Sequence, residues 1–117
     1  DLLKRENGDS NILEIIDFKT GNDRKDREAL YLQVQLYTIA AREALDLNVQ
    51  KAYVHFLDDQ KQPRMEVLTT PKQLDMAMRT LADAVQGITT RRFQRNPRSP
   101  KSCLTCDWEK ICPKKKK

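Results

Sequence analysis

The chain has 117 residues, 38% of them hydrophobic and 33% charged, with a formal net charge of +5. That length suits one domain with a single core, and that balance excludes a disordered polyelectrolyte. No run of about 18 apolar residues occurs, so no membrane-spanning helix is expected. The charge is uneven: residues 1–90 hold twelve Lys/Arg against fifteen Asp/Glu, and residues 91–117 hold ten against two. A basic block beside a mildly acidic body points to a polyanion contact at Arg91, Arg92, Arg95 and Arg98. Lys114 to Lys117 read equally well as a solubilising tail. The chain begins at Asp1 without Met, and without the basic-then-apolar order of a signal peptide. It opens as if inside a strand, and a piece of a longer protein is expected.

In chain order, residues 1–6 read as a short strand and residues 7–11 as a turn cluster carrying Asn7-Gly8. Residues 12–19, β-branched and almost continuously apolar, have the pattern of a central strand covered on both faces. Thr20 to Lys25 are polar loop, and residues 26–47 read as one long helix. Two strands follow over 51–57 and 64–70, with a polar turn between them. Pro71 suits the first turn of a second helix, running to about residue 92. Beyond Phe93, prolines and cysteines mark irregular, basic chain. The expected architecture is α/β: a small mixed sheet flanked by helices, in the order β-β-α-β-β-α. It comprises a core over 1–92 and a cysteine-containing segment over 93–117 packing on the same domain.

Three groups of residues carry chemistry. Alternate residues of a strand share a face, so Asp17 and Lys19 point the same way at the end of the apolar strand. A carboxylate beside an ammonium there can hold a hard cation and orient water or phosphate. By itself the pair is also an ordinary exposed ion pair at a strand end. On the helix, advancing 100° per residue from Gln33 places Leu36, Leu47, Ala40, Ala44, Tyr37, Leu30 and Ala41 between about −60° and +80°. Arg27, Glu28, Gln35, Thr38, Arg42 and Asp46 fall opposite. Gln33 therefore occupies the middle of the apolar stripe, one turn from Tyr37, and a buried amide needs a specific partner. Third, Cys103-x2-Cys106-x5-Cys112 has spacing that suits zinc or an iron–sulfur cluster in a reducing cytoplasm. Either site needs four ligands, and no fourth cysteine is present. The single histidine, His55, reads as a packed or edge residue, and Trp108 as a lid between the cysteines.

Together these residues resemble the PD-(D/E)xK nuclease superfamily in its RecB/AddB-like branch, over nearly the whole chain. Ile15-Ile16-Asp17-Phe18-Lys19-Thr20-Gly21 looks like the branch's aspartate-x-lysine motif, and Gln33-Val34-Gln35-Leu36-Tyr37 looks like its Gln-x3-Tyr motif. The cysteine triplet looks like the C-terminal part of a four-cysteine iron–sulfur cluster. The resemblance implies a restriction-endonuclease-like core and Mg²⁺- or Mn²⁺-dependent hydrolysis of DNA in a prokaryotic cytoplasm. The substrate would be single-stranded or end-bearing DNA, in repair, recombination or helicase-coupled end processing, with a helicase domain or subunit as partner. It implies metal ligation by Asp1, Asp17 and the Phe18 carbonyl, and catalytic or site-fixing roles for Asp17, Lys19, Gln33 and Tyr37. Backbone-following contacts would come from Arg91, Arg92, Arg95 and Arg98. The 4Fe-4S cluster would take its fourth ligand from upstream of Asp1. The match at Asp1 lacks the Gly-x-Ile that precedes the aspartate in the family. Pairing provides a check: a two-residue Asn7-Gly8 turn sets Asp1 against Glu14, whereas an Asp1–Asp17 pair needs partners whose numbers sum to 18. Two other readings remain: an inactive nuclease fold that only binds DNA, and a zinc-stabilised interaction domain.

Overall fold

The computed structural model describes residues 2–5, 11–20, 26–93 and 99–112. Asp1, the Asn7-Gly8 turn, Gly21 to Lys25, Arg95, Arg98 and the terminal lysines lie outside them. The elements are β1 (Leu2–Arg5), β2 (Leu13–Lys19), α1 (Arg27–Glu43), β3 (Val49–Phe56), β4 (Arg64–Glu66) and α2 (Pro71–Thr89), then a 3₁₀ turn at Pro100–Cys103. The backbone divides into two compact units, Asp1–Ala82 and Asp83–Lys117.

The first unit is built on a four-stranded mixed sheet in the order β1-β2-β3-β4. Strand β2 pairs antiparallel with β1 and parallel with β3, and β3 pairs antiparallel with β4. The parallel pair requires a crossover, which α1 supplies. In β2, Glu14, Ile15, Ile16 and Asp17 are all buried, as its near-continuous apolar run implied. Glu14 is compensated by Arg64 at 2.8 Å, whose guanidinium also stacks 3.6 Å from the Tyr53 ring centroid. Beneath α1 the core gathers Ile15, Val34, Val49, Ala52, Val54 and Phe56. Fully burying a side chain such as Val34 or Phe56 contributes about 1.5–3 kcal/mol.

The pairing of β1 with β2 joins Leu2 to Ile16, Leu3 to Ile15, Lys4 to Glu14 and Arg5 to Leu13. All four pairs sum to 18, which is incompatible with a two-residue Asn7-Gly8 turn.

The side of α1 facing the core differs from the one that composition implied. Its buried residues are Leu30, Val34, Thr38, Ile39 and Ala41, so burial centres near Val34, about 100° round from Gln33. Gln33 sits at the margin, while Ala40 and Leu45 are exposed. The cause is the connection from β4 to α2. Val67 is buried and donates its N–H to Ala52 O. Gln35 Nε2 donates to Leu68 O at 3.0 Å, and Arg42 donates to Val49 O at 2.8 Å and Thr69 O at 3.5 Å. Thr38, read as polar surface, is buried because its hydroxyl donates to Val34 O within the helix.

Element ends have local causes. Asp26 caps α1 by accepting from Ala29 N at 3.3 Å. The helix stops at Glu43 rather than 47 because Asp46 adopts φ 51°, a conformation Asp tolerates, and Leu47 N–H then returns to Ala41 O. The apolar period runs on through Leu47 because that residue packs against the core after the turn. Strand β4 ends at Glu66, shorter than the strand expected over 64–70, since the chain leaves the ladder to reach the Pro71 helix start. Helix α2 closes with Arg92 N–H on Gly87 O and Arg91 N–H on Ile88 O, a Schellman pattern with Arg91 at φ 53°. No helix among the described residues is long and apolar enough to cross a membrane.

Candidate active site

The C-terminal end of β2 and the second turn of α1 bring three sequence-predicted residues together. Lys19 Nζ lies 2.9 Å from Asp17 Oδ2, and donates to Asp17 Oδ1 at 3.2 Å and to Gln33 Oε1 at 3.1 Å. Gln33 Nε2 in turn donates to the Tyr37 hydroxyl at 2.7 Å. The direction of this chain is forced. An ammonium has donors only, so Gln33 must turn its carbonyl to Lys19 and its NH₂ to Tyr37. Tyr37 accepts, and its own O–H proton is left to point elsewhere. The residue is 38% exposed.

Asp17 is fully buried, and its Oδ2 has the ionic contact with Lys19 but no hydrogen bond among the described residues. A carboxylate has about four lone-pair sites, and among the described residues one directed hydrogen bond serves them. Lys19 compensates part of the cost of burying that charge, while its side chain stays 22% exposed. An under-satisfied, buried carboxylate oxygen is the kind of donor that a hard divalent cation takes. The residues present therefore fit a metal in part. No group of three or more His, Cys, Asp or Glu is gathered among the described residues, and further oxygens are needed. Asp1 lies outside the described residues.

Phe18 turns its side chain to the other face of the sheet, where it meets His55 edge to face at 5.5 Å. That contact makes His55 a packed residue, as its place in an apolar strand implied. Sequence reasoning missed the Glu14–Arg64–Tyr53 cluster. Its signal was a glutamate inside an otherwise apolar strand, which demands a partner.

In the second unit Cys103 ends the 3₁₀ turn and Cys106 and Cys112 follow it; no group of three or more His, Cys, Asp or Glu able to hold a metal is gathered among the described residues, so a preformed iron–sulfur or zinc site is not supported. Spacing alone could not fix this, because ligand spacing is permissive until the chain between the cysteines curls them inward. Trp108 is exposed rather than packed as a lid, and its carbonyl accepts from Ile111 N–H at 3.2 Å and Cys112 N–H at 2.8 Å. Arg91 and Arg92 are exposed at the end of α2, with Arg92 bonded to Thr90 Oγ1 and Gln86 Oε1. Arg95 and Arg98 lie outside the described residues.

Comparison with known proteins finds that the sequence model of the PD-(D/E)XK nuclease superfamily matches residues 1–113. No curated protein matches the chain.

Proposed function

The chain belongs to the PD-(D/E)XK nuclease superfamily, and on that premise we propose that it hydrolyses DNA phosphodiester bonds with Mg²⁺ or Mn²⁺, using Asp17, Lys19, Gln33 and Tyr37. The observation that carries the reading is the buried Asp17 carboxylate, whose Oδ2 makes no hydrogen bond among the described residues and is ion-paired with a lysine fixed from a second element by Gln33. Asp17 and the Phe18 carbonyl hold the cation in this reading, together with Asp1. The described pairs of β1 with β2 keep the sum of 18 that this role for Asp1 requires; Asp1 itself lies outside the described residues.

A bound divalent cation supplies Lewis-acid stabilisation of charge developing on the phosphoryl oxygens. The remaining work falls to the chain's own groups. Asp17 would be a ligand to that cation and holds Lys19 by its charge. Lys19, steered by Gln33 Oε1, keeps an ammonium proton available for the attacking water or the developing oxyanion. Tyr37, its lone pair occupied by Gln33, offers its O–H to a phosphate oxygen of the strand. Arg91, Arg92, Arg95 and Arg98 add sequence-independent contacts to the backbone.

The Gln33-x3-Tyr37 pair and Thr20-Gly21 after Lys19 support a finer placement in the RecB/AddB-like branch. With it goes action on single-stranded or end-bearing DNA in repair, recombination or helicase-coupled processing. The test is cleavage of a labelled single-stranded oligonucleotide with Mg²⁺, Mn²⁺ or chelator, comparing the unaltered chain with Asp17→Asn. Metal-dependent cleavage that Asp17→Asn abolishes supports the assignment, and equal cleavage by both removes Asp17 from it.

A further inference from the structure

We infer that the open cleft between β1 and α1 seats the base of one unpaired nucleotide of the substrate, beside the reacting phosphate; this rests on the nuclease reading above. The cleft has a volume of about 380 Å³, and its walls include Leu2, Leu3, Ile15, Tyr37, Ala40 and Leu45. That volume falls in the range of small-ligand pockets. It exists because burial of α1 centres on Val34, which leaves Ala40 uncovered, with Leu45 just beyond the helix, beside the exposed Leu3 on the Ile15 face of the sheet.

Three features choose a base as the occupant. Tyr37 belongs to both places: its hydroxyl ends the chain from Lys19, and its ring forms a wall of the cleft. A group seated there is therefore within reach of whatever Tyr37 holds by its O–H. Ile15 shares a face of β2 with Asp17, two residues away, or about 6.6 Å along the strand. Arg5 is exposed and follows Leu3 on the same face, so a cation stands at the cleft's edge for the next phosphate. The residues named on the walls are apolar except for the Tyr37 hydroxyl, so they suit the faces of any base and read the edge of none. Binding is then tolerant of sequence but demands an unpaired base, since a base within a duplex is stacked and inaccessible.

The experiment uses the full chain and a set of single-stranded oligonucleotides, each with one abasic site at a successive position. An abasic site next to the cleaved phosphate is expected to lower kcat/KM about tenfold or more, and elsewhere to change little. A 2-aminopurine at the sensitive position should change its fluorescence on binding, with metal withheld. Ala40→Phe, which fills the cleft, should remove both effects while Mn²⁺ binding measured by calorimetry persists. Should that variant fail to fold, the abasic series on the unaltered chain decides alone. Metal-dependent cleavage with no abasic sensitivity at any position overturns the cleft assignment and leaves the nuclease reading standing. Retained abasic sensitivity in a folded Ala40→Phe also overturns it, because the base then sits elsewhere. A cleft normally covered by polypeptide would show as Ala40→Phe lowering Tm without altering cleavage, which overturns it too. Failure of every substrate with every metal overturns the nuclease reading itself, and this inference with it.

Discussion

Lys19 and Gln33 stand 14 positions apart in the chain, yet the lysine ammonium donates to the glutamine carbonyl at 3.1 Å. One residue ends β2 and the other lies in α1, so the contact exists only when the crossover is folded. It fixes an otherwise flexible four-carbon side chain over Asp17 and sets the direction of every hydrogen bond as far as Tyr37. A lysine left free would lose much of its rotamer freedom at each turnover.

Replacing Lys19 with Met tests the charge at this point. The Asp17 carboxylate would stay buried without its counter-ion, at a cost of about 2 kcal/mol, between the values for exposed and fully buried pairs. The rate of DNA cleavage should fall by a factor on the order of 10² or more. Urea unfolding and single-turnover kinetics measure the two effects. Unchanged turnover would remove Lys19 from the mechanism.

Tyr37→Phe separates two roles. Loss of an outward O–H donor should raise KM for DNA about fivefold to tenfold, with kcat within about twofold. If the hydroxyl serves only to buttress Gln33, kcat falls and KM holds.

Arg42 serves the fold. Its guanidinium bonds two backbone carbonyls, those of Val49 and Thr69, on segments that α1 must join. Arg42→Ala should cost about 2 kcal/mol, since hydrogen bonds from a charged donor are the stronger kind. The midpoint of chemical unfolding reports this, and kcat of the folded variant should match that of the parent.

Arg91 holds φ 53°, where a side chain costs about 1–2 kcal/mol and glycine costs little. Arg91→Gly should therefore raise stability by about 1 kcal/mol while weakening DNA binding equally across sequences. The slope of log Kd against log salt should flatten by about 0.7–0.9 for the lost phosphate contact. Stabilisation with unchanged DNA affinity would leave Arg91 a capping residue only.

Much of the site was legible because its logic is local. Strand alternation put Asp17 and Lys19 on one face, helical spacing put Tyr37 one turn from Gln33, and the apolar run 12–19 marked the central strand. The pairing register could be narrowed to two alternatives, and the observed pairs follow the one needed for Asp1 to face Asp17. What escaped was set by distant chain. The orientation of α1 depends on Val67 to Thr69, which arrive through β3 and β4 to bond Gln35 and Arg42. Periodicity weighs a helix's own residues, and it could not see that Thr38 would be covered and Ala40 left bare. The end of α1 turned on the backbone angle of Asp46, to which composition is nearly blind.

The most direct test is calorimetric titration of Mn²⁺ into the chain, followed by thermal unfolding at saturating metal, for the parent and for Asp17→Asn. A cation that binds the folded site raises Tm by mass action, with about 2.7 kcal/mol gained at a hundredfold excess over Kd. The account predicts saturable binding and a raised Tm for the parent, both lost in Asp17→Asn, whose metal-free Tm is equal to the parent's or higher because a buried charge has been removed. Equal Mn²⁺ binding by the two proteins would contradict it.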